Sequence, residues 1–243
     1  MRSEAHPRSR RGRQLAAIAI ISLLLFVTAF AVAASLYPGG TWASRAILGH
    51  SFFGNYLCDL MQPRALNGRP AELGSLFARF GTVALSVAHA SFYVQVANLD
   101  DPPSARARLS RRAGLLACAI SLAIPLVTAD ALHTLHVIIV VAAFVPALVA
   151  TSAALLICMH SPSSTRTLRL LAPLTLGVAG INFALYAFVY GAAWLGAELP
   201  RPLVLLLHDL LPISQRIALI GLVAWILAVS LRSARMHAST HDL

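Results

Sequence analysis

Long apolar runs alternate along the chain with short clusters of arginine, proline and acidic residues. A bilayer core takes roughly 20 apolar residues of helix, and six runs of that order are present. They cover residues 15–36, 76–99, a stretch from just after Arg111-Arg112 to about 128, then 131–159, 170–195 and 203–231. The pattern predicts an all-α, polytopic membrane protein built as a bundle of six transmembrane helices. A basic tail, 1–14, precedes the bundle and a short tail, 232–243, follows it.

Punctuation between the runs refines this. Tyr37-Pro38-Gly39-Gly40 closes the first with a turn signal, and Ala31-Val32-Ala33-Ala34-Ser35 just before it resembles a signal-cleavage site. The run is longer than the roughly 7–15 apolar residues of a signal peptide, which predicts an uncleaved anchor. Asp100-Asp101-Pro102-Pro103 ends the second run. Thr128-Ala129-Asp130 reads as a tight hairpin with Asp130 as N-cap of the fourth helix. One long connection, 37–74, contains Phe52-Phe53-Gly54-Asn55-Tyr56-Leu57-Cys58-Asp59-Leu60-Met61, a mixture that suits a short interfacial helix. Asn67-Gly68 after it supplies a turn. No internal repeat is evident.

Composition agrees, with 58% hydrophobic and 12% charged residues, against about a quarter charged in soluble domains. All 19 cationic side chains are arginine. They sit in separate clusters, which argues against a nucleic-acid partner, since that needs a continuous basic face. The clusters carry orientation instead. With the amino terminus inside, inner segments hold thirteen arginines: five before Leu15, four from Arg106 to Arg112, then Arg166, Arg169, Arg232 and Arg235. Outer segments hold Arg45, Arg64, Arg69 and Arg201. Basic residues concentrate on the cytoplasmic side, so both termini are placed in the cytosol. Lysine-free, Ala/Leu/Arg-rich usage points to a high-GC bacterium and hence to its inner membrane. Cys58, Cys118 and Cys158 show no CxxC spacing; the latter two read as small buried apolar side chains.

Depth counting from the inner helix ends gathers ionisable residues in one outer layer. His208 and Asp209 fall at or above the interface, and Arg216 roughly 6 Å inside it at about 1.5 Å per residue, within snorkelling reach. Asp130, His133, His136 and Arg79 reach the same layer. Pro212 leaves the carbonyl of His208 without its helical donor, predicting a kink or break there. Arginine in hydrocarbon costs at least about 2.5 kcal/mol unless paired or snorkelled. Pairing of Arg79 and Arg216 with Asp59, Glu72, Asp130 or Asp209 is the structural expectation. The functional one is that Arg79, Arg216, Asp59, Asp130 and Asp209 bind a lipid head group or a small polar solute, with membrane lipids as partners.

Two further readings stay open, and whether the protein is an enzyme is undecided by any motif. His50, Asp59, Asp130, His133, His136, His208 and Asp209 are candidate linings of an outward pocket. Within it His133, His136 and His208 would hold zinc, with Asp59 or Asp130, to hydrolyse a lipid ester or amide through metal-bound water. No HExxH is present, and zinc is the only cofactor this donor set suggests. His89 lies at mid-membrane, where a small b-type cytochrome would place a haem ligand; an interhelical hydrogen bond to Asn182 is the simpler expectation. Tyr186, Tyr190 and Trp194 read as an interfacial aromatic belt.

Asn55-Tyr56-Leu57-Cys58-Asp59-Leu60, followed by Leu66-Asn67-Gly68, resembles a pattern of uncharacterised bacterial multi-pass membrane proteins of the domain-of-unknown-function kind. That resemblance implies a shared fold and no activity. A fainter similarity is to ceramidase-like membrane hydrolases, which have seven helices and a zinc site of Ser, Asp and three His. Here the runs number six, and the HxxxH of such sites is replaced by His133-Thr134-Leu135-His136.

Overall fold

The computed structural model describes residues 7–100 and 104–236; Arg2, the Asp101-Pro102-Pro103 boundary and the tail from 237 onward lie outside the described residues. Six α-helices follow in order: α1 Pro7–Ser35, α2 Glu72–Ala97, α3 Ala105–Ser121, α4 His133–His160, α5 Arg166–Trp194 and α6 Arg201–Met236, with a 3-10 turn at Cys58–Met61. Successive helices pack on one another, α6 returns to α1, and α2 touches α1, α3, α4 and α6. Five of the six, all but α3, are long and apolar enough to cross a membrane.

Small residues let the backbones approach, as packing between helices in lipid requires. Gly74 lies against the Ala33 carbonyl and Gly81 against Phe30, closing α2 onto α1. The larger core cluster joins Leu23, Phe92, Val96, Ile157, Leu168 and Trp225. At its far end polar side chains bind helix termini together. Gln95 Nε2 donates to Leu15 O and to Ser230 Oγ, both at 3.3 Å, and Ser161 Oγ donates to Leu99 O at 2.6 Å. Leu24, Leu76, Ile138, Leu174 and Ile220 stay exposed within the long helices. An apolar outer surface of this kind suits lipid and not water.

The third run departs from expectation. Its helix starts at Ala105, where Ser104 Oγ caps by accepting from Ala107 N at 3.2 Å, so Arg106, Arg108, Arg111 and Arg112 are helical. It stops at Ser121, well short of 128. Proline disfavours helix in the residue before it and removes a backbone donor, and buried Pro125 does so here. Turns carry the chain through 122–132, with Leu126 N and Val127 N both reaching Ala123 O at 3.1 Å. The tight hairpin is therefore an eleven-residue connection. Asp130 is not the cap of α4; that position is Leu132, with no side-chain cap. Pro212 does not break α6, which continues through it.

The connection 37–71 folds back over the bundle. Only Cys58–Met61 is helical there, a single 3-10 turn in which Asp59, Leu60 and Met61 are buried. Tyr37, Leu60, Met61, Ala65 and Ala78 form a second core under it. Gly40 adopts φ +88°, and a Cβ there would lie 2.8 Å from the Leu66 carbonyl carbon; this close crossing of two loop strands requires glycine. Asn67-Gly68 turns as expected, with Gly68 N on Ala65 O at 2.8 Å.

Candidate functional site

Asn55 and Asp59 organise the loop from within. Fully buried Asn55 donates from Nδ2 to Gly40 O at 2.8 Å and to Asp59 Oδ2 at 3.3 Å, while its Oδ1 accepts from Ser51 N at 3.0 Å. Asp59 Oδ2 also accepts from Tyr56 N at 2.8 Å, and Oδ1 from Trp42 Nε1 at 3.3 Å. Burial pushes the Asp59 carboxyl up to about 6, against the pull of those three donors and the charge of Arg216. The same burial raises Tyr37 and the Cys58 thiol each to about 12 and raises Tyr56. His50 is lowered to about 4 by burial and then by Arg216, so its imidazole is neutral.

Three side chains fasten the loop to α6. Arg216 donates from Nε to Phe52 O at 2.9 Å and from a terminal nitrogen to Asn55 O at 3.1 Å, with His50 Nε2 at 3.5 Å. Gln215 Oε1 accepts from Leu57 N at 2.9 Å, and Tyr56 Oη pairs with His208 Nδ1 at 3.2 Å. Trp42 stacks on His208 with ring centroids 5.5 Å apart. From α2, Arg79 Nε donates to Met61 O at 3.1 Å. Both deep arginines thus bind loop carbonyls, where carboxylate partners had been expected. The physical reason is that a folded loop presents unpaired carbonyls at that depth, and a guanidinium satisfies them at fixed geometry.

Beneath the loop, α4 and α5 stand apart and leave a cavity of about 400 Å³. Every buried residue of α5, namely Leu168, Ala172 and Thr175, lies in its first third. The roof of the cavity is polar: Trp42, Asp59, Gln62 and Gln215, with His133 and His136 at the α4 end. Its walls are mostly apolar, Val137, Val140, Val141 and Phe144 from α4 and Phe183 and Ala187 from α5, with Asn182 of α5 a polar exception. Phe144 and Phe183 stack across it at 4.1 Å, closing the bottom. Seven of the twenty lining residues are Phe, Tyr or Trp, in a chain with 7% of them.

Of the residues the sequence singled out, Asp59, His133 and His136 share this cavity, and His208 borders it through Tyr56 and Trp42. Asp130 and Asp209 are exposed and do not line it. Arg79 and Arg216 hold the loop. His136 is already engaged, with Nδ1 donating to Val127 O at 2.6 Å. Among the described residues no three His, Cys, Asp or Glu side chains come together as a metal-holding group, so His133, His136 and His208 do not form the expected zinc set. His89 stacks on Tyr93 at 6.1 Å, beside a smaller cavity of about 230 Å³ among α2, α3 and α4. Asn182 is not its partner: it donates to Leu211 O at 3.1 Å and Ser214 Oγ at 2.8 Å, next to Pro212.

Tyr186, Tyr190 and Trp194 line this cavity. Tyr186 and Tyr190 stack at 5.4 Å, and Tyr186 meets Tyr56 at 5.9 Å. Their spacing with Phe183 puts all four on one helical face, a signal present in the sequence but equally compatible with an interface. Trp42, Gln62 and Gln215 carry no such signal, since only the folded loop brings them to α4 and α5.

No protein-family model matches the chain, and no curated protein and no solved structure matches it either. The fold itself defines the class: a helical, multi-pass membrane protein. Within that class its distinguishing part is the loop-roofed cavity between α4 and α5.

Proposed function

We propose that this protein is a six-crossing inner-membrane protein of a bacterium that binds an amphiphile from the bilayer. The polar head sits under the loop 37–71 and the apolar chain lies between α4 and α5. The observation that carries this reading is the polarity gradient of the cavity. Four hydrogen-bonding side chains of the roof and the two α4 histidines stand at one end, and valine and phenylalanine walls at the other. A small polar solute would leave those walls unfilled, and an apolar one would leave the polar roof unmatched.

Topology supports the same reading. Loop 37–71, segment 122–132 and the α5–α6 turn all meet at the end where arginine is scarce. In this arrangement α3 and the turns of 122–132 make up the third crossing. Non-helical backbone is tolerated at membrane depth where protein or a cavity covers it, and Ala129 of that segment lines the cavity. The head-group contacts fall to Asp59, Gln62, Gln215 and His133, and Arg79 and Arg216 keep the loop in place above them.

Native mass spectrometry of the detergent-extracted protein tests binding. Wild type should retain amphiphile, while Ala187→Trp and Gly191→Trp, which fill the cleft, should release it. A Cβ at Gly191 meets no atom within 4 Å, so that substitution is tolerated by the fold. Equal retention in all three proteins refutes the reading. Reporter fusions after residues 66 and 200 test the threading, which fails if either lies in the cytosol.

A further inference from the structure

We infer that the head group taken by this cavity is cationic, an amine or quaternary ammonium, held between the Asp59 carboxylate and the faces of Tyr56, Tyr186 and Tyr190. The inference rests on the amphiphile reading above and specifies its ligand. The chain holds 19 arginines, yet among the described residues none lines the cavity. The two that reach this depth, Arg79 and Arg216, are committed to the carbonyls of Met61, Phe52 and Asn55. An anionic head would therefore enter a site without a guanidinium and with a carboxylate in its roof.

A cation meets the opposite conditions. Asp59 is the only carboxylate among the lining residues, and one of its oxygens, Oδ1, has a single donor, Trp42 Nε1. A carboxylate oxygen accepts two or more hydrogen bonds, so Oδ1 retains capacity. Aromatic rings attract cations through their negative faces, most strongly where water is excluded. Tyr56, Tyr186 and Tyr190 form a connected row, with centroid separations of 5.9 and 5.4 Å, and Trp42 continues it 6.4 Å from Tyr56. Three features oppose a cation. The amino end of α4 carries roughly half a positive charge, Arg216 acts on Asp59 from outside the lining, and Arg45 already lies 5.6 Å from the centroid of the Trp42 ring. Asp59, 2% exposed, contributes its charge from the wall of the cavity, and the ring faces add to it.

The experiment uses the full chain, purified in a neutral sterol-based detergent, and three probes with the same dodecyl chain: dodecyltrimethylammonium, dodecyl phosphate and dodecyl maltoside. Binding is read from tryptophan emission, since Trp42 and Trp194 line the cavity. The trimethylammonium probe should bind about tenfold more tightly than the phosphate, and Asp59→Asn should erase that preference. Tyr190→Leu should lower it several-fold, which keeps the test open if the Asp59 variant fails to fold. Equal affinity for all three probes overturns the cationic head and leaves the amphiphile reading standing. Tighter phosphate binding also overturns it. If no probe binds, both readings fall together.

Discussion

Arg216 donates from Nε to the carbonyl of Phe52, 2.9 Å away, and its guanidinium carbon lies 5.1 Å from the centroid of the same residue's ring. One side chain of α6 thereby fixes both the backbone and the side chain of a residue 164 positions earlier. Removing it orphans the Phe52 and Asn55 carbonyls, and the buried Asn55 group left unmet costs about 1–3 kcal/mol. Arg216→Met should therefore lower the thermal midpoint and expose loop 37–71 to protease. Arg216→Lys should restore little, because an ammonium lacks the planar fork that serves two carbonyls. A Met variant as stable and protease-resistant as wild type would contradict this role.

His136 and His133 sit one turn apart on α4 yet should differ sharply when truncated. His136 Nδ1 satisfies the Val127 carbonyl in the non-helical segment, and its side chain is buried; His133 is exposed at the rim, 6.0 Å from the Tyr190 ring. His136→Ala should destabilise the protein by about 1–3 kcal/mol and speed amide exchange across 122–132. His133→Ala should leave both unchanged. Exchange that quickens equally in the two variants would mean that the Val127 bond does not hold the segment.

What was legible beforehand follows from which forces are local. Hydropathy marks five of the six helices because a long apolar run in lipid has no alternative to helix, and it overlaps only the second half of α3. The end of α3 was missed because Pro125 lies within an apolar run, where composition masks a backbone constraint. Asp130 has the chemistry of an N-cap, but the turns after Pro125 move the start of α4 to His133. His133 and His136 fall in one layer because depth can be counted along a helix, and Asp59 joins them only through the folded loop. Which groups face one another across helices cannot be counted. Arg216 therefore gained carbonyl partners in place of acids, and Asn182 went to α6 instead of His89. The cavity depends on where α5 stops packing, a property of tertiary arrangement alone.

Gly114 offers a test of the α2–α3 contact that uses no ligand. A Cβ at this position would fall inside the van der Waals shell of the Tyr93 ring, which is buried and bonded through Oη to Thr151 Oγ1 at 2.9 Å. The ring cannot yield without losing that bond. Gly114→Ala should thus destabilise the protein by about 1–3 kcal/mol, as overpacking does, despite alanine's better helix propensity. Gly177→Ala, where a Cβ meets open space, should be neutral or slightly stabilising. Comparison of the two thermal midpoints decides it, and an unchanged Gly114→Ala midpoint would exclude a close α2–α3 approach there.

The carboxyl of Asp59 supplies the pH dependence. Its value in the folded protein is raised from 3.8 to about 6, chiefly by burial. The folded state therefore holds this proton more tightly than the unfolded one, so the contribution to stability is full below about 4 and is lost as pH rises through about 6. Binding runs the other way, because the ionised carboxylate attracts a cation. Affinity for dodecyltrimethylammonium should rise as pH increases through about 6 and then level off. The groups facing Asp59 include Tyr37, Tyr56 and Cys58 of the loop, Tyr186 and Tyr190 of α5, and Arg216 of α6. His133 and His136 of α4 share the cavity, with His208 at its border. A histidine taking up a proton would repel the cation in the same sense. Asp59→Asn separates the two sources: whatever pH dependence survives in that variant belongs to imidazole. If the variant kept the whole wild-type profile, Asp59 would not be the titrating group, and the carboxylate would be a structural acceptor for Trp42, Asn55 and Tyr56 alone.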